Sequence, residues 1–419
     1  MLLGAIADDL TGATDLSLIL SRAGMSVIQV VGVPDEGADF GNADAVVVAL
    51  KSRTIPAAEA VEQSLASARV LRARGARQLY FKYCSTFDST AEGNIGPVTD
   101  ALLDLIGETR TVACPAFPQN GRTVYQGHLF VGSQLLSDSP MKDHPLTPMR
   151  DADLRRVLAA QTARPVDLVA HATVTQGVEA VAAALAEAEG IAITDAICNA
   201  DLMTLGKALA GYGLVTGGSA LALGLPQNFR AAGLLAKDAG NADFTAPKGP
   251  GIMLAGSCSA ATRQQVARAE ANGIATLALD PLAIASGETR IEDALAFVAA
   301  HAGDPRPPLL YSSADPEAVA RAQEKLGRAQ AGVVVEAFLS GVARKLAEAG
   351  TRRFIVAGGE TSGAVVEALG AMAVRIGPEI DPGVPWVVST DPVAPMALAL
   401  KSGNFGCEDF FAKAWDMLA

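Results

Sequence analysis

The chain has 419 residues, half of them apolar, 19% charged and 5% aromatic, with a formal net charge of −12. That length allows two or three compact domains, the composition excludes disorder, and the acidic balance argues against broad contact with nucleic acid or an anionic membrane while leaving room for a local basic pocket. No apolar run approaches the ~20 residues of a spanning helix, the opening MLLGAIADDL lacks the basic segment and cleavage site of a secretion signal, and five cysteines without a CxxC pair suit reduced thiols, so a cytoplasmic chain is expected.

Short apolar runs predict strands at Leu3–Ala7, Val27–Val31, Ala45–Leu50, Gln78–Lys82, Val166–Ala170 and Ile191–Thr194. Between them, Pro56–Arg74 and Gly177–Glu189 repeat apolar residues at helical spacing. Strands alternating with helices imply parallel pairing, because a parallel pair needs a crossover. Cys114–Phe130 has turn chemistry and β character instead, and predicts a hairpin excursion. The polar, aperiodic run AKDAGNADFTAPKGPG reads as a linker over residues 236–250. The rhythm then restarts, with strands at Ile252–Ala255, Ala275–Leu279, Pro308–Ser312, Phe354–Ala357 and Ala373–Ile376. Helices are expected at Thr262–Asn272, Glu292–Ala302, Val333–Ala349 and Ser362–Leu369. The expected architecture is α/β in two domains, 1–235 and 251–419, each a mainly parallel sheet flanked by helices.

Ligands of open α/β sheets collect beyond the carboxyl ends of the strands, so the strand-to-helix junctions matter most. The first, Ile6-Ala7-Asp8-Asp9-Leu10-Thr11-Gly12, ends a strand in two carboxylates. One aspartate is enough to cap a helix. A second beside it adds repulsion, which a bound hydroxyl, proton or cation would explain. A haloacid-dehalogenase-type phosphatase would need a nucleophile two positions before Asp9, and residue 7 is Ala. The next junctions, KSRT at Lys51–Thr54 and KYCSTFDST at Lys82–Thr90, supply cations and hydroxyls. Arg53 and Lys82 can neutralise a carboxylate or phosphate, while Ser85, Thr86, Ser89 and Thr90 can bond a polyol. Asp88 can pair with Lys82 or bind substrate, and an ordinary solvated loop is the competing interpretation for each residue.

In the second half, Ala357-Gly358-Gly359-Glu360-Thr361-Ser362-Gly363 joins a strand to a helix through glycines, which let a phosphate approach backbone N–H groups. Ala255-Gly256-Ser257-Cys258-Ser259 repeats the design, and Lys401-Ser402-Gly403-Asn404 offers a third small-residue loop. There is no GxxxxGK[ST] and no GxGxxG, so neither a P-loop enzyme nor a dinucleotide-dependent dehydrogenase is favoured. The four histidines show no metal-ligand spacing, and Cys258 has no obvious base beside it.

Taken in order along the chain, IADDLTGATD, KYCSTFDSTAEGNIGPVTDAL, AGGETSG and the tail PGVPW with LALKSGNFG resemble the four-carbon acid sugar kinases. Threonate and erythronate kinases of that family carry a Lys-x-Asp-Ser-Thr-type motif where this chain has KYCSTFDST, which together with GRTVYQGHLFVGSQLL resembles a different branch. The resemblance implies an acid sugar on the first domain, ATP with Mg²⁺ on the second, and an active site in the cleft between them. Asp8 and Asp9 would be catalytic. Asp15, Arg53, Lys82, Ser85, Thr86 and Asp88 would face the acid, and Ser257, Ser259, Gly358, Gly359, Glu360, Thr361 and Gly403 the ATP. Metal ligands are left open. The expected partner is a small four-carbon sugar acid, not nucleic acid or membrane, and the apolar composition permits a homodimer. A threonate or erythronate kinase and a sugar-acid or nucleotide sensor without turnover are the alternatives.

Overall fold

The computed structural model describes residues 1–144, 146–236, 244–312 and 324–418. Contacts divide the chain into two units, Met1–Ala242 and Asp243–Ala419. Residues 237–243 of the expected linker lie outside the described residues, and 244–250 are irregular.

The first unit contains β1 (Leu3–Ala7), β2 (Val27–Val31), β3 (Ala45–Ala49), β4 (Gln78–Lys82), β5 (Thr111–Cys114), β6 (Arg122–Tyr125), β7 (His128–Val131), β8 (Gln134–Leu135), β9 (Val166–Val169), β10 (Ile191–Thr194) and β11 (Leu214–Gly217). Eight of these form a parallel sheet in the order β2-β3-β1-β4-β11-β5-β10-β9. Strands β1 and β3 read LGAIA and AVVVA and are buried throughout, as a parallel strand covered on both faces requires. In register, Ala7 pairs with Ala49 and with Lys82, so the carboxyl ends of β1, β3 and β4 lie side by side. β4 then pairs with β11, which arrives more than 130 residues later along the chain. The expected excursion is an antiparallel sheet of β6, β7 and β8 reaching Leu135. The strands absent from the sequence reading, β5 and β11, have four residues each, TVAC and LVTG, too few to show a period.

The second unit contains β12 (Gly251–Ala255), β13 (Thr276–Ala278), β14 (Leu309–Tyr311), β15 (Arg353–Ala357), β16 (Ala373–Asp381), β17 (Val384–Ser389) and β18 (Ala397–Lys401). Their order is β13-β14-β12-β15-β18-β17-β16. β13, β14, β12, β15 and β18 run parallel, whereas β18, β17 and β16 form an antiparallel meander. That meander departs from the sequence reading, which ended at Ile376; Pro378 and Pro385 hide it by breaking the apolar alternation. Trp386 of β17 is fully buried, and its indole N–H donates to the Ala414 carbonyl at 3.0 Å, fixing helix Phe410–Asp416 against the sheet.

Candidate active site

At the carboxyl edge of the first sheet the backbone is tied together before any side chain acts. Asp8 N–H donates to the Lys82 carbonyl and Ser52 N–H to the Asp8 carbonyl, both at 3.0 Å. Helix Leu10–Arg22 starts immediately afterwards, with Asp9 as its N-cap accepting from Gly12 N–H at 3.2 Å. The capping role is therefore real for Asp9. It is not the whole of its environment.

Arg53 grips Asp8 through two parallel bonds of 2.8 Å, from Nε and Nη2, and donates from Nη2 to Asp9 at 2.7 Å. Its Nη1 lies 3.7 Å from Asp88. Lys82 donates to Asp9 at 3.2 Å and is almost entirely buried. Asp8, Asp9, Arg53, Lys82 and Asp88 thus form one ion cluster, and both cations already face carboxylates of the chain. Burial pushes the Asp8 carboxyl upward and outweighs Arg53. Burial acts on Asp9 too, but the charges of Lys82 and Arg53 overcome it and hold that carboxyl below its usual value. Buried among aspartates, Arg53 is held charged.

Around this cluster, Thr86 donates to Asp88 at 2.6 Å and Cys84 Sγ contacts the Thr86 hydroxyl at 2.9 Å, while burial raises the Cys84 thiol. Ser85 is half-buried in the same turn. Asp15, one turn into the helix, accepts from the Ser219 hydroxyl, and burial raises its carboxyl. Three supports escaped sequence reading. A Cβ on Gly12 would fall 1.6 Å from Lys82 Nζ, so only glycine leaves room for that ammonium. Asn94 Nδ2 bonds the carbonyls of Ser52, Arg53 and Ile55 at 2.6, 3.3 and 3.0 Å and pins the Arg53 loop. Phe87, fully buried, has φ of 55° and packs edge-on to Tyr83 with ring centroids 5.4 Å apart. A bulky residue in the left-handed region is strained, and here it sets the turn that presents Thr86 and Asp88.

In the second unit, the ends of β12, β15 and β18 are joined in the same way. Gly256 and Ser257 N–H groups donate to the Ala357 carbonyl at 3.0 and 3.3 Å, and Gly358 N–H donates to the Lys401 carbonyl at 2.9 Å. Gly358 has φ of 134° and caps helix Gly359–Ala368 without a side chain, so the first-turn N–H groups have no capping acceptor there. A Cβ on Gly256 would sit 2.2 Å from Thr361 Oγ1, and one on Gly403 2.3 Å from Ser257 Oγ. Ser257, Ser259, Gly358, Thr361 and Gly403 therefore meet in one cradle, with Glu360 exposed at its helix end. Ser259 is occupied structurally: it caps helix Ala260–Ala271 by accepting from Thr262 N–H at 3.1 Å and donates to the Gly403 carbonyl at 2.6 Å. Among the described residues no three His, Cys, Asp or Glu side chains are placed to hold a metal ion.

An acidic-basic cluster at one sheet edge and a glycine-lined helix start at another describe an enzyme that handles a polar metabolite and a phosphate-bearing one. Residues 3–225 match a sugar-binding N-terminal domain and residues 252–411 a nucleotide-binding C-terminal domain, and the chain belongs to the four-carbon acid sugar kinase family. Within it, the chain is 56% identical to a 3-oxo-tetronate kinase of Cupriavidus necator, over 99% of this chain and 96% of that one. It is 54% identical to a 3-oxo-tetronate kinase of Burkholderia multivorans, over 99% and 96%, and 51% identical to one of Methylobacterium radiotolerans, over 100% and 99%. The crystal structure of a Haemophilus influenzae protein is 43% identical with a TM-score of 0.90, covering 99% of this chain and 100% of that chain. One from Salmonella typhimurium is 44% identical with the same TM-score, covering 98% of each.

Proposed function

We propose that this chain is an ATP-dependent kinase that phosphorylates the C4 hydroxyl of 3-oxo-tetronate, giving 3-oxo-tetronate 4-phosphate. The observation that carries this reading is the identity of 45–56% to 3-oxo-tetronate kinases over nearly the whole of both chains. The Asp8–Asp9–Arg53–Lys82 cluster and the Gly358 cradle supply the chemistry that such a reaction needs.

Phosphoryl transfer is mostly positioning and charge stabilisation. Asp9 is the base in this mechanism, because its side chain is 29% exposed against 9% for Asp8, whose two oxygens are engaged by Arg53. It accepts the C4 proton as that oxygen attacks the terminal phosphorus of ATP, a contribution of about 10²–10⁴-fold. Asp8 anchors Arg53. Lys82 and Nη1 of Arg53 retain donors for the acid carboxylate, while Asp15 and Asp88 accept from the hydroxyl groups of the acid and Ser85 and Thr86 bond its remaining oxygens. ATP lies against the N–H groups of Gly358–Thr361, with Ser257, Ser259 and Gly403 beside it. Mg²⁺ bound to the nucleotide would supply charge neutralisation at its phosphates, and no cluster of His, Cys, Asp or Glu among the described residues is placed to hold it. The acid site belongs to residues 1–235 and the nucleotide site to 251–419, and the free thiols and the ATP requirement fit a cytoplasmic enzyme.

The test is ADP release coupled to a spectrophotometric readout, with 3-oxo-tetronate, threonate and erythronate offered separately. Turnover highest with the oxo acid is expected. Preference for threonate or erythronate moves the chain to the neighbouring activity, and acid-dependent ATP consumption with none of the three removes the kinase reading.

A further inference from the structure

Lys401 ends β18 and is 1% exposed. Its ammonium donates to Thr262 Oγ1 at 3.0 Å, to the Gly403 carbonyl at 3.1 Å and to the Ser402 carbonyl at 3.3 Å. The Phe410 ring lies beneath it, 5.8 Å from nitrogen to centroid. All three protons have partners, yet none of those partners is a carboxylate. A buried cation without a counter-ion is costly, and burial lowers this one to about 8.

The ammonium acts on Gly403. That carbonyl accepts from Lys401, from Ser259 Oγ at 2.6 Å and from Thr262 Oγ1 at 2.9 Å. The glycine itself is pressed so closely to Ser257 that a Cβ there would lie 2.3 Å from its hydroxyl. Lys401 also belongs to the strand whose carbonyl holds Gly358 N–H. One side chain therefore fastens the third loop of the cradle to the first, from a strand end that already carries the second.

We infer that Lys401 is a positioning residue of the nucleotide site: it clamps the Gly403 turn against Ser257 and Ser259, and the bound polyphosphate supplies the negative charge its surroundings lack. This rests on the nucleotide reading of the cradle. Lys401 faces Thr262 from helix Ala260–Ala271, Phe410 from helix Phe410–Asp416, the backbone beside Ala357 from β15, and the Ser402 and Gly403 carbonyls of its own turn. None of these titrates, and burial loosens its proton. A polyanion arriving nearby makes the protonated form easier to hold. Nucleotide binding then draws in a proton at mildly alkaline pH, and weakens as pH rises further.

The experiment is calorimetric titration of the full chain with MgADP at pH 7, 8 and 9, each in two buffers of different ionisation enthalpy. Wild type should take up about half a proton near pH 8, since about half of the unliganded ammonium is then neutral. Lys401→Met should lose that uptake and weaken MgADP about tenfold to a hundredfold at pH 7, as expected for a charge-assisted clamp. Binding of the acid should stay within about twofold, and Lys401→Arg should restore part of the nucleotide affinity. Wild-type binding with no proton uptake overturns the inference whether or not the methionine variant folds, as does an unaltered MgADP affinity in Lys401→Met. If wild type binds no MgADP at all, the nucleotide reading itself fails.

Discussion

Gly12 and Lys82 share one space: the side chain that residue 12 lacks would stand where the ammonium of residue 82 sits. The colliding atom is the far end of a flexible chain, so the fold can absorb a methyl group at Gly12. The ion pair with Asp9, at 3.2 Å, cannot. We expect Gly12→Ala to stay folded with a lowered melting temperature, because the Lys82–Asp9 pair is lost, while kcat/KM for the acid falls about a hundredfold, the order of loss that a 1 Å misplacement brings. Thermal unfolding and steady-state kinetics check this, and unaltered kinetics would separate Lys82 from the reaction.

The two aspartates should part in both kinetics and pH response. Asp9→Asn is expected to lower kcat by about 10²–10⁴-fold with MgADP binding intact, and near-normal turnover would remove Asp9 from the base role. Asp8→Asn, which releases Arg53, should act more through KM for the acid.

In stability their signs are opposite. The lowered carboxyl of Asp9 contributes stability above about pH 4 that is lost as pH falls through its folded value. The raised carboxyl of Asp8 opposes folding when ionised, and acidification relieves it. The stability gap between wild type and Asp9→Asn should therefore shrink on acidification, and that between wild type and Asp8→Asn should widen in favour of wild type. Urea midpoints at pH 7 and at about pH 3, below the usual aspartate value, give both gaps.

Arg53 spans Asp8 and Asp9 with a planar fork and reaches toward Asp88. Lysine offers one point charge on a flexible stem and cannot reproduce the paired bonds. Arg53→Lys should raise KM for the acid about tenfold or more. Arg53→Met should also destabilise the first unit by about 3 kcal/mol, because it strands buried carboxylates without their counter-ion. Chemical denaturation of the two variants, beside their kinetics, distinguishes these outcomes.

At Gly358, φ of 134° excludes an ordinary side chain, and a Cβ would stand 2.8 Å from Thr361 Oγ1 and 3.2 Å from Ser257 N. Gly358→Ala should therefore weaken MgADP about tenfold or more while leaving acid binding unchanged. Calorimetry with each ligand tests it, and a loss confined to the acid would reassign the cradle.

Much of this was legible in residue order. Asp8, Asp9, Arg53 and Lys82 stand at predicted strand ends, and a parallel sheet brings successive strand ends to one edge whatever their distance in sequence. The glycines at 256 and 358 were visible for the same reason, and Gly403 as part of a small-residue loop whose strand was not foreseen. What stayed hidden depended on contact across the fold. The ion pairing of Arg53 with Asp8 needs the register of β1 and β3, which composition does not contain. Gly12, Asn94 and Lys401 look like ordinary helix, turn and strand residues until the partner that crowds or binds each one is in place. Phe87 gives no signal at all, since a phenylalanine is the last residue one expects at positive φ. The second half of β16 and the whole of β17 were lost to Pro378 and Pro385, and β18 is five residues long, too short to show a period.

The junction of β4 with β11, and of Asp15 with Ser219, gives the molecule a history as well as a shape. The strand that flanks β4 is synthesised more than 130 residues after it, and the hydroxyl that meets Asp15 more than 200 residues after that aspartate. At roughly 5–20 residues per second, translation takes on the order of 7–26 s to pass from β4 to β11 and on the order of 10–40 s from Asp15 to Ser219. Until then the nascent chain carries a complete charge cluster beside an unpaired apolar β4 edge and an Asp15 without its hydroxyl partner, which makes this stretch of synthesis the time when the first sheet is most open to mispairing.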